Sequence, residues 1–246
     1  MPVDALPFAY PRRRVTRVVL QRLARLTLRT LARFEVIGEE NMPSSGPLLL
    51  VANHFHYADP VAVVTCVPWT TEFIGGAQMP NAPAAVTIIP KMWGILPVHR
   101  GKASRDALRH ATTILAHDGI LGIFPEAGSW ATVLRPARPG TAFLATQTNA
   151  RLLPMGITGL NDVFPRLGRG KRARVTIRIG RPFGPFHVTT RGRARREELE
   201  EVGHEIMRRI AALLPPAQHG VYASDPTQRA AAAAAAVYPW DNDADL

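Results

Sequence analysis

The chain is poor in cysteine, in acid and in uninterrupted apolar sequence. Cys66 is its one cysteine, which excludes an internal disulfide framework and a cysteine-based zinc cluster, as a reducing compartment predicts. No apolar run reaches the roughly 18 residues that a spanning helix needs. The opening MPVDALPFAYPRRR lacks the order of a signal peptide, because no continuous apolar stretch follows its arginines. Asp and Glu number 19 against 30 Lys and Arg, a formal net charge of +11 and a pI near 11.0. That excess implies an anionic partner: nucleic acid, anionic lipid, an acidic carrier or a phosphorylated substrate. Apolar sequence is plentiful in total, at 46% of 246 residues, so a real core in one large or two small domains is expected. The composition points to a cytoplasmic protein that meets something negative.

Residues 12–34 read as a basic amphipathic helix. Leu20, Leu23, Thr27, Leu31 and Phe34 recur at spacings of three and four, and Arg22, Arg25, Arg29 and Arg33 recur the same way on the other side. Residues 1–36 are expected to form a segment lying on an anionic membrane surface, arginines at lipid phosphates and leucines in the acyl layer. A solvated arginine face is the plainer alternative. A nucleic-acid face fits poorly, since the helix has few base-reading residues and no interleaved aromatics.

Short apolar runs then alternate with helical patterns. Strands are expected at Leu48–Ala52, Glu72–Gly76, Ile120–Phe124 and Leu152–Ile157, with an edge strand at Val175–Ile179, where apolar and basic residues alternate. Helices are expected over Ser104–His117, Thr141–Asn149 and Glu197–Leu214. This order predicts an α/β fold with a mixed, mainly parallel sheet flanked by helices over residues 37–214. From Pro215 to Leu246 an alanine-rich tail of little order is expected, because seven consecutive alanines offer no amphipathic face.

Chemistry is expected where the first strand ends, in Asn53-His54-Phe55-His56-Tyr57-Ala58-Asp59-Pro60. Ligands of α/β folds bind at the carboxyl ends of strands. Five residues separate His54 from Asp59, across a turn that Pro60 ends by opening a helix. The carboxylate can then accept a hydrogen bond from one imidazole nitrogen and leave the other as a base. No nucleophile elbow lies nearby, so the direct use is proton removal from a substrate hydroxyl that attacks a carbonyl. Further on, Gly94–Gly101 brings Arg100 to the end of an apolar segment, Ile123–Ser129 places Glu126 and Gly128 after a buried strand, and Pro154 interrupts a third run.

In this order and spacing the four segments resemble the phospholipid/glycerol acyltransferase family, across residues 35–185. Asn53, His54 and Asp59 match the family's Asn-His-x4-Asp, and Arg100 matches the arginine that closes its second block. Phe124-Pro125-Glu126-Ala127-Gly128-Ser129-Trp130 stands where the family has Phe-Pro-Glu-Gly-Thr-Arg-Ser. Leu153-Pro154-Met155 matches the fourth block. The resemblance implies His54 as general base and Asp59 as its orienting partner, with no covalent acyl-enzyme, no cofactor and no metal. It implies substrate contacts from Asn53, Arg100, Glu126, Gly128 and, in place of the arginine lost at Ser129, Arg135 or Arg138. The implied donor is acyl-CoA or acyl carrier protein. The implied acceptor is a lysophospholipid, 1-acyl-glycerol-3-phosphate or another hydroxylated lipid, at the inner face of the cell membrane.

Two other readings compete. His54-Phe55-His56 followed by Asp59 resembles a metallo-β-lactamase ligand motif, with the aspartate one position late and Pro60 in place of a histidine. A basic membrane- or nucleic-acid-binding module would explain the charge, yet it leaves the polar cluster at two strand ends unused.

Overall fold

The computed structural model describes residues 12–76, 87–98 and 105–237. The continuous apolar runs become the centre of a sheet. β2 (Leu48–Ala52) is buried at all five positions and lies between β5 (Ile120–Ile123) and β6 (Arg151–Thr158). A strand with partners on both sides and helices on both faces meets no water, so it needs no polar alternation. With β1 (Ala32–Ile37), β3 (Glu72–Gly76), β4 (Leu96–Val98) and β7 (Ala173–Ile179) the sheet has seven strands, in the order β1-β7-β6-β2-β5-β3-β4. Every pairing is parallel except β6 with β7, so β1 and β7 run against the other five.

Helices cover both faces. α1 (Arg14–Leu31) and α2 (Asp59–Cys66) lie on one, over Leu48, Leu50, Leu153 and Val175; α4 (Arg105–Ala116), α5 (Pro139–Gln147) and α7 (Gly192–Ala211) lie on the other, over Leu49, Val51 and Leu121. Alternate residues of β2 thus feed two cores. The short helices α3 (Ile88–Trp93) and α6 (Val163–Leu167) and the terminal α8 (Pro226–Ala236) complete the described chain. The expected α/β architecture with an N-terminal helix is what forms.

The N-terminal segment departs from expectation in three ways. The helix ends at Leu31, and Ala32–Ile37 is the edge strand β1. Phe34 and Val36 pack on the core and alternate with Arg33 and Glu35, a period of two that the preceding helical pattern masks. All of β1 pairs with β7, from Ala32↔Ala173 to Ile37↔Arg178, so β7 is no edge and its basic alternation marks an exposed face. α1 also turns a polar face inward. Arg17 and Gln21 are buried with Leu28, while Leu23 points outward. Gln21 donates to Val64 O and Val67 O at 3.0 and 2.8 Å, and Arg25 to Thr65 O and Val67 O at 3.1 and 2.7 Å. These donors satisfy the carbonyls left open at the end of α2. Arg17 meets Glu72, the first residue of β3, with both side chains fully buried, and Arg12 joins them at 2.6 Å. The segment is therefore built into the domain.

The chain after Pro215 also has more structure than expected. Leu134 N donates to Gln218 O at 3.0 Å and Val221 N to Leu134 O at 3.2 Å, which fixes the turns Pro216–Gln218 and Gly220–Tyr222 against the body. Asp225 caps α8 by accepting from Thr227 N at 2.8 Å, and Ala232 is buried. The acidic end lies outside the described residues.

Candidate active site

β2 delivers its last polar residues to the carboxyl edge of the sheet, beside the end of β5. His54 Nδ1 lies 2.9 Å from Asp59 Oδ2. The same oxygen accepts from His56 N at 2.7 Å. Asp59 is buried as the first residue of α2, where the helix dipole favours a carboxylate, and Pro60 follows it as expected. A carboxylate only accepts, so the hydrogen bond puts the proton on Nδ1 and leaves the Nε2 lone pair for other work. The His54 side chain is 17% exposed, enough for a substrate to reach it. Its ring stacks on Phe124 at 4.4 Å, and Phe124 stacks in turn on Phe73 at 6.2 Å. Burial lowers the pKa of neighbouring His56 and Asp59 opposes that shift; Ala58 N donates to its Nδ1 at 3.2 Å.

Glu126 approaches from β5. It is buried, its Oε1 accepts from His54 N at 2.9 Å and its Oε2 from Arg135 N at 3.2 Å. Burial pushes its carboxyl up to about 7, against the Arg135 guanidinium 3.2 Å away and the two N–H donors. Glu126 therefore holds the backbone of the loop after β2, with both carboxylate oxygens accepting from protein N–H groups.

The remaining candidates separate. Asn53 is buried with its amide already engaged: Oδ1 accepts from Ile157 N at 2.7 Å and Nδ2 donates to Ile157 O at 2.9 Å. It ties β2 to β6 behind the histidine instead of facing substrate. Gly128 is buried under Trp130, whose ring a Cβ there would strike at 2.0 Å, and its carbonyl accepts from Arg135. Arg135 is buried, paired with Glu126 and stacked over Trp130 at 3.5 Å, so it supports the loop and is no substitute phosphate ligand. Arg138 donates its backbone N–H to Pro125 O at 2.8 Å and lines a cleft of about 160 Å³ with Glu126, Ala137 and Ala236. Arg100 lies outside the described residues. The Phe124 ring beside His54 was not anticipated, although the Phe-Pro-Glu segment carried it. Among the described residues no three His, Cys, Asp or Glu side chains gather as metal ligands, and no helix is long and apolar enough to cross a membrane.

A histidine held by an acid at one strand end, with a second acid from the next strand end on its backbone N–H, is an arrangement that can supply a base on an α/β scaffold. Residues 33–158, more than half of the chain, match the family model Acyltransferase, and the protein belongs to that family. The fold is similar to the crystal structure of the 1-acyl-sn-glycerophosphate (LPA) acyltransferase PlsC from Thermotoga maritima, with a TM-score of 0.54 over 81% of this chain and 83% of that one, at 21% identity. No curated protein matches the sequence.

Proposed function

We propose that the protein is an O-acyltransferase that moves a fatty acyl group from acyl-CoA or acyl carrier protein to a hydroxyl of a glycerophospholipid-like acceptor, 1-acyl-glycerol-3-phosphate foremost, in phospholipid biosynthesis. The observation that carries this reading is the 2.9 Å contact between His54 Nδ1 and Asp59, which leaves Nε2 as the base at the mouth of the site. Nε2 takes the acceptor's hydroxyl proton as the oxygen attacks the thioester carbonyl. The imidazolium, stabilised by Asp59, then returns the proton to the departing thiolate. The acceptor's phosphate falls to Arg100 and Arg138, the latter in the cleft beside Glu126. The enzyme works peripherally on the anionic inner face of the cell membrane, held by α1. Support for this comes from Val15, Val19, Leu23 and Leu26, which form an outward apolar stripe beside exposed Arg22 and Arg29.

The test is a panel of acceptors, phosphorylated and neutral, offered with labelled acyl-CoA and acyl carrier protein. Acyl transfer by the wild type that is lost in His54→Ala, with circular dichroism unchanged, supports the reading. Transfer that survives the substitution overturns it.

A further inference from the structure

A second concentration of charge lies away from His54, at the corner where β1 and β7 begin. Arg33 and Arg174 stand side by side in the β1–β7 register. With Arg166 and Arg172 they line a cleft of about 650 Å³, together with Phe34, Glu35 and Asp162. Four guanidinium groups thus face two carboxylates, Glu35 at 3.1 Å from Arg174 and Asp162 at 4.0 Å from Arg166. Arg33 has no acid partner among the described residues, and exposed Arg169 and Lys171 add to the same corner. Adjacent like charges repel in the free protein, so the arrangement is stabilised by a multivalent anion. Guanidinium forks suit phosphate, which they hold through paired hydrogen bonds.

Topology relates this cleft to the catalytic base. β1 and β7 run opposite to β2, so their first residues lie at the sheet edge where β2 ends in Asn53 and His54. The order β2-β6-β7-β1 puts the cleft two to three strand spacings across, and the register sets Arg174 about three residues beyond the level of His54, so the two lie on the order of 14–18 Å apart. An extended pantetheine-type arm spans that separation. The face also matters. Ala32, Ala173 and Val175 pack into the core beneath α1 and α2, so the alternation of a strand projects Arg33, Glu35 and Arg174 from the opposite face. Arg172, bonded to the end of α1, and Arg166 of α6 reach the same cleft from the other side, so it opens across the end of the sheet.

We propose that this cleft binds the phosphorylated nucleotide end of the thioester donor, a 3′-phosphorylated adenosine diphosphate of the coenzyme A type. The proposal rests on the acyltransferase reading and selects acyl-CoA between its two donors.

The probe is adenosine 3′,5′-bisphosphate, titrated calorimetrically into the full chain and into Arg33→Ala, Arg33→Lys and Arg174→Ala. Binding by the wild type, weakened about 10- to 100-fold by either alanine and partly restored by lysine, is the expected result. In turnover, the alanine variants should raise KM for acyl-CoA by a similar factor with kcat kept, and the penalty should be confined to donors that carry the nucleotide, sparing acyl-pantetheine. Arg172 is left intact, because it also donates to Arg29 O and Ala32 O at the end of α1. If Arg174→Ala folds poorly once Glu35 is unpaired, Arg33→Ala carries the test alone. The proposal is overturned if the wild type ignores the bisphosphate, if the variants bind it equally, or if acyl-pantetheine suffers the same loss. It is equally overturned if the variants lose only anionic-vesicle binding or only transfer from acyl carrier protein. A chain that transfers no acyl group from any donor fails the activity reading, while the titration still reports on the cleft.

Discussion

Glu126 accepts the backbone N–H of His54 at 2.9 Å, so the acid that follows β5 fixes the loop that follows β2. Its other oxygen takes the N–H of Arg135. The candidate site is thereby clamped from within the protein, across two adjacent strands.

Removing that clamp should cost stability before it costs chemistry. Glu126→Ala strips the partner from two buried N–H groups and leaves the buried Arg135 guanidinium without its acid. Losing one member of a buried pair costs about 3–5 kcal/mol. Chemical denaturation should show that loss, with acyl transfer falling in the folded fraction as His54 drifts. A wild-type midpoint in Glu126→Ala would contradict the bracing role.

The same residue sets a pH dependence. Burial raises the Glu126 carboxyl to about 7 from its ordinary 4.5. Between those values the unfolded chain has released its proton and the folded chain still holds it, so stability falls as pH rises through this window and levels off above about 7. Glu126→Gln removes the titration. Unfolding free energies measured from pH 4.5 to 7.5 should therefore decline more steeply in the wild type than in Glu126→Gln. Parallel profiles would count against the shift.

How much of this was legible in the sequence depended on what each residue faces. β2, β5 and β6 are buried on both sides, and their apolar runs declared them. His54 and Asp59 were legible because five residues and a proline form one local unit. β1 was not, since Phe34 continued the helical spacing of Leu20 and Leu31 by coincidence of phase. The inward face of α1 was hidden for a different reason. Its partners are the end of α2 and Glu72, groups distant in sequence that demand donors instead of leucines. Asn53 and Gly128 read as ligand contacts because their polarity and small size suit a site; only the positions of Ile157 and Trp130 show that protein groups already occupy them.

Arg17 and Glu72 test that hidden face. Both side chains are fully buried and Arg17 also donates to Trp93 O at 2.8 Å. Glu72→Ala leaves the buried Arg17 guanidinium without its acid and beside the like charge of Arg12, so about 3–5 kcal/mol of stability should be lost. Arg17→Met combined with Glu72→Leu should recover much of it, because neither charge then remains to be compensated. A double-mutant cycle in urea measures the coupling. Simple additivity of the two single substitutions would show that the pair does not act as a unit.

Ala127 occupies the left-handed region, at φ 58, where the family pattern has glycine. A Cβ in that conformation costs on the order of 1 kcal/mol. Ala127 is exposed and its N–H closes a turn onto Phe124 O at 3.0 Å. Ala127→Gly should keep that turn and raise the midpoint of thermal unfolding by about 2–4 °C for a chain of this size. A lower midpoint would mean that the methyl group contributes something that the turn geometry does not reveal.

α1 carries two kinds of leucine, one on its outward stripe and one on its inward face. Leu26 is 68% exposed and Leu28, two positions on, is 7% exposed within the core beneath the helix. If α1 meets lipid, Leu26 enters the acyl boundary beside Arg22 and Arg29. Each arginine near an anionic surface contributes about 1 kcal/mol, and salt screens it within a Debye length of about 8–10 Å. Leu26→Asp should then lower sedimentation with phosphatidylglycerol vesicles, leave the unfolding free energy within about 0.5 kcal/mol of wild type, and raise the apparent KM only for lipid-dispersed acceptors. Leu28→Asp should behave in the opposite way, since it buries an unpaired carboxylate under the helix and unfolds the domain at any lipid concentration. Vesicle binding that is unchanged in Leu26→Asp, or unaffected by 0.5 M salt, would remove α1 as the membrane contact and leave its arginines as a solvated face.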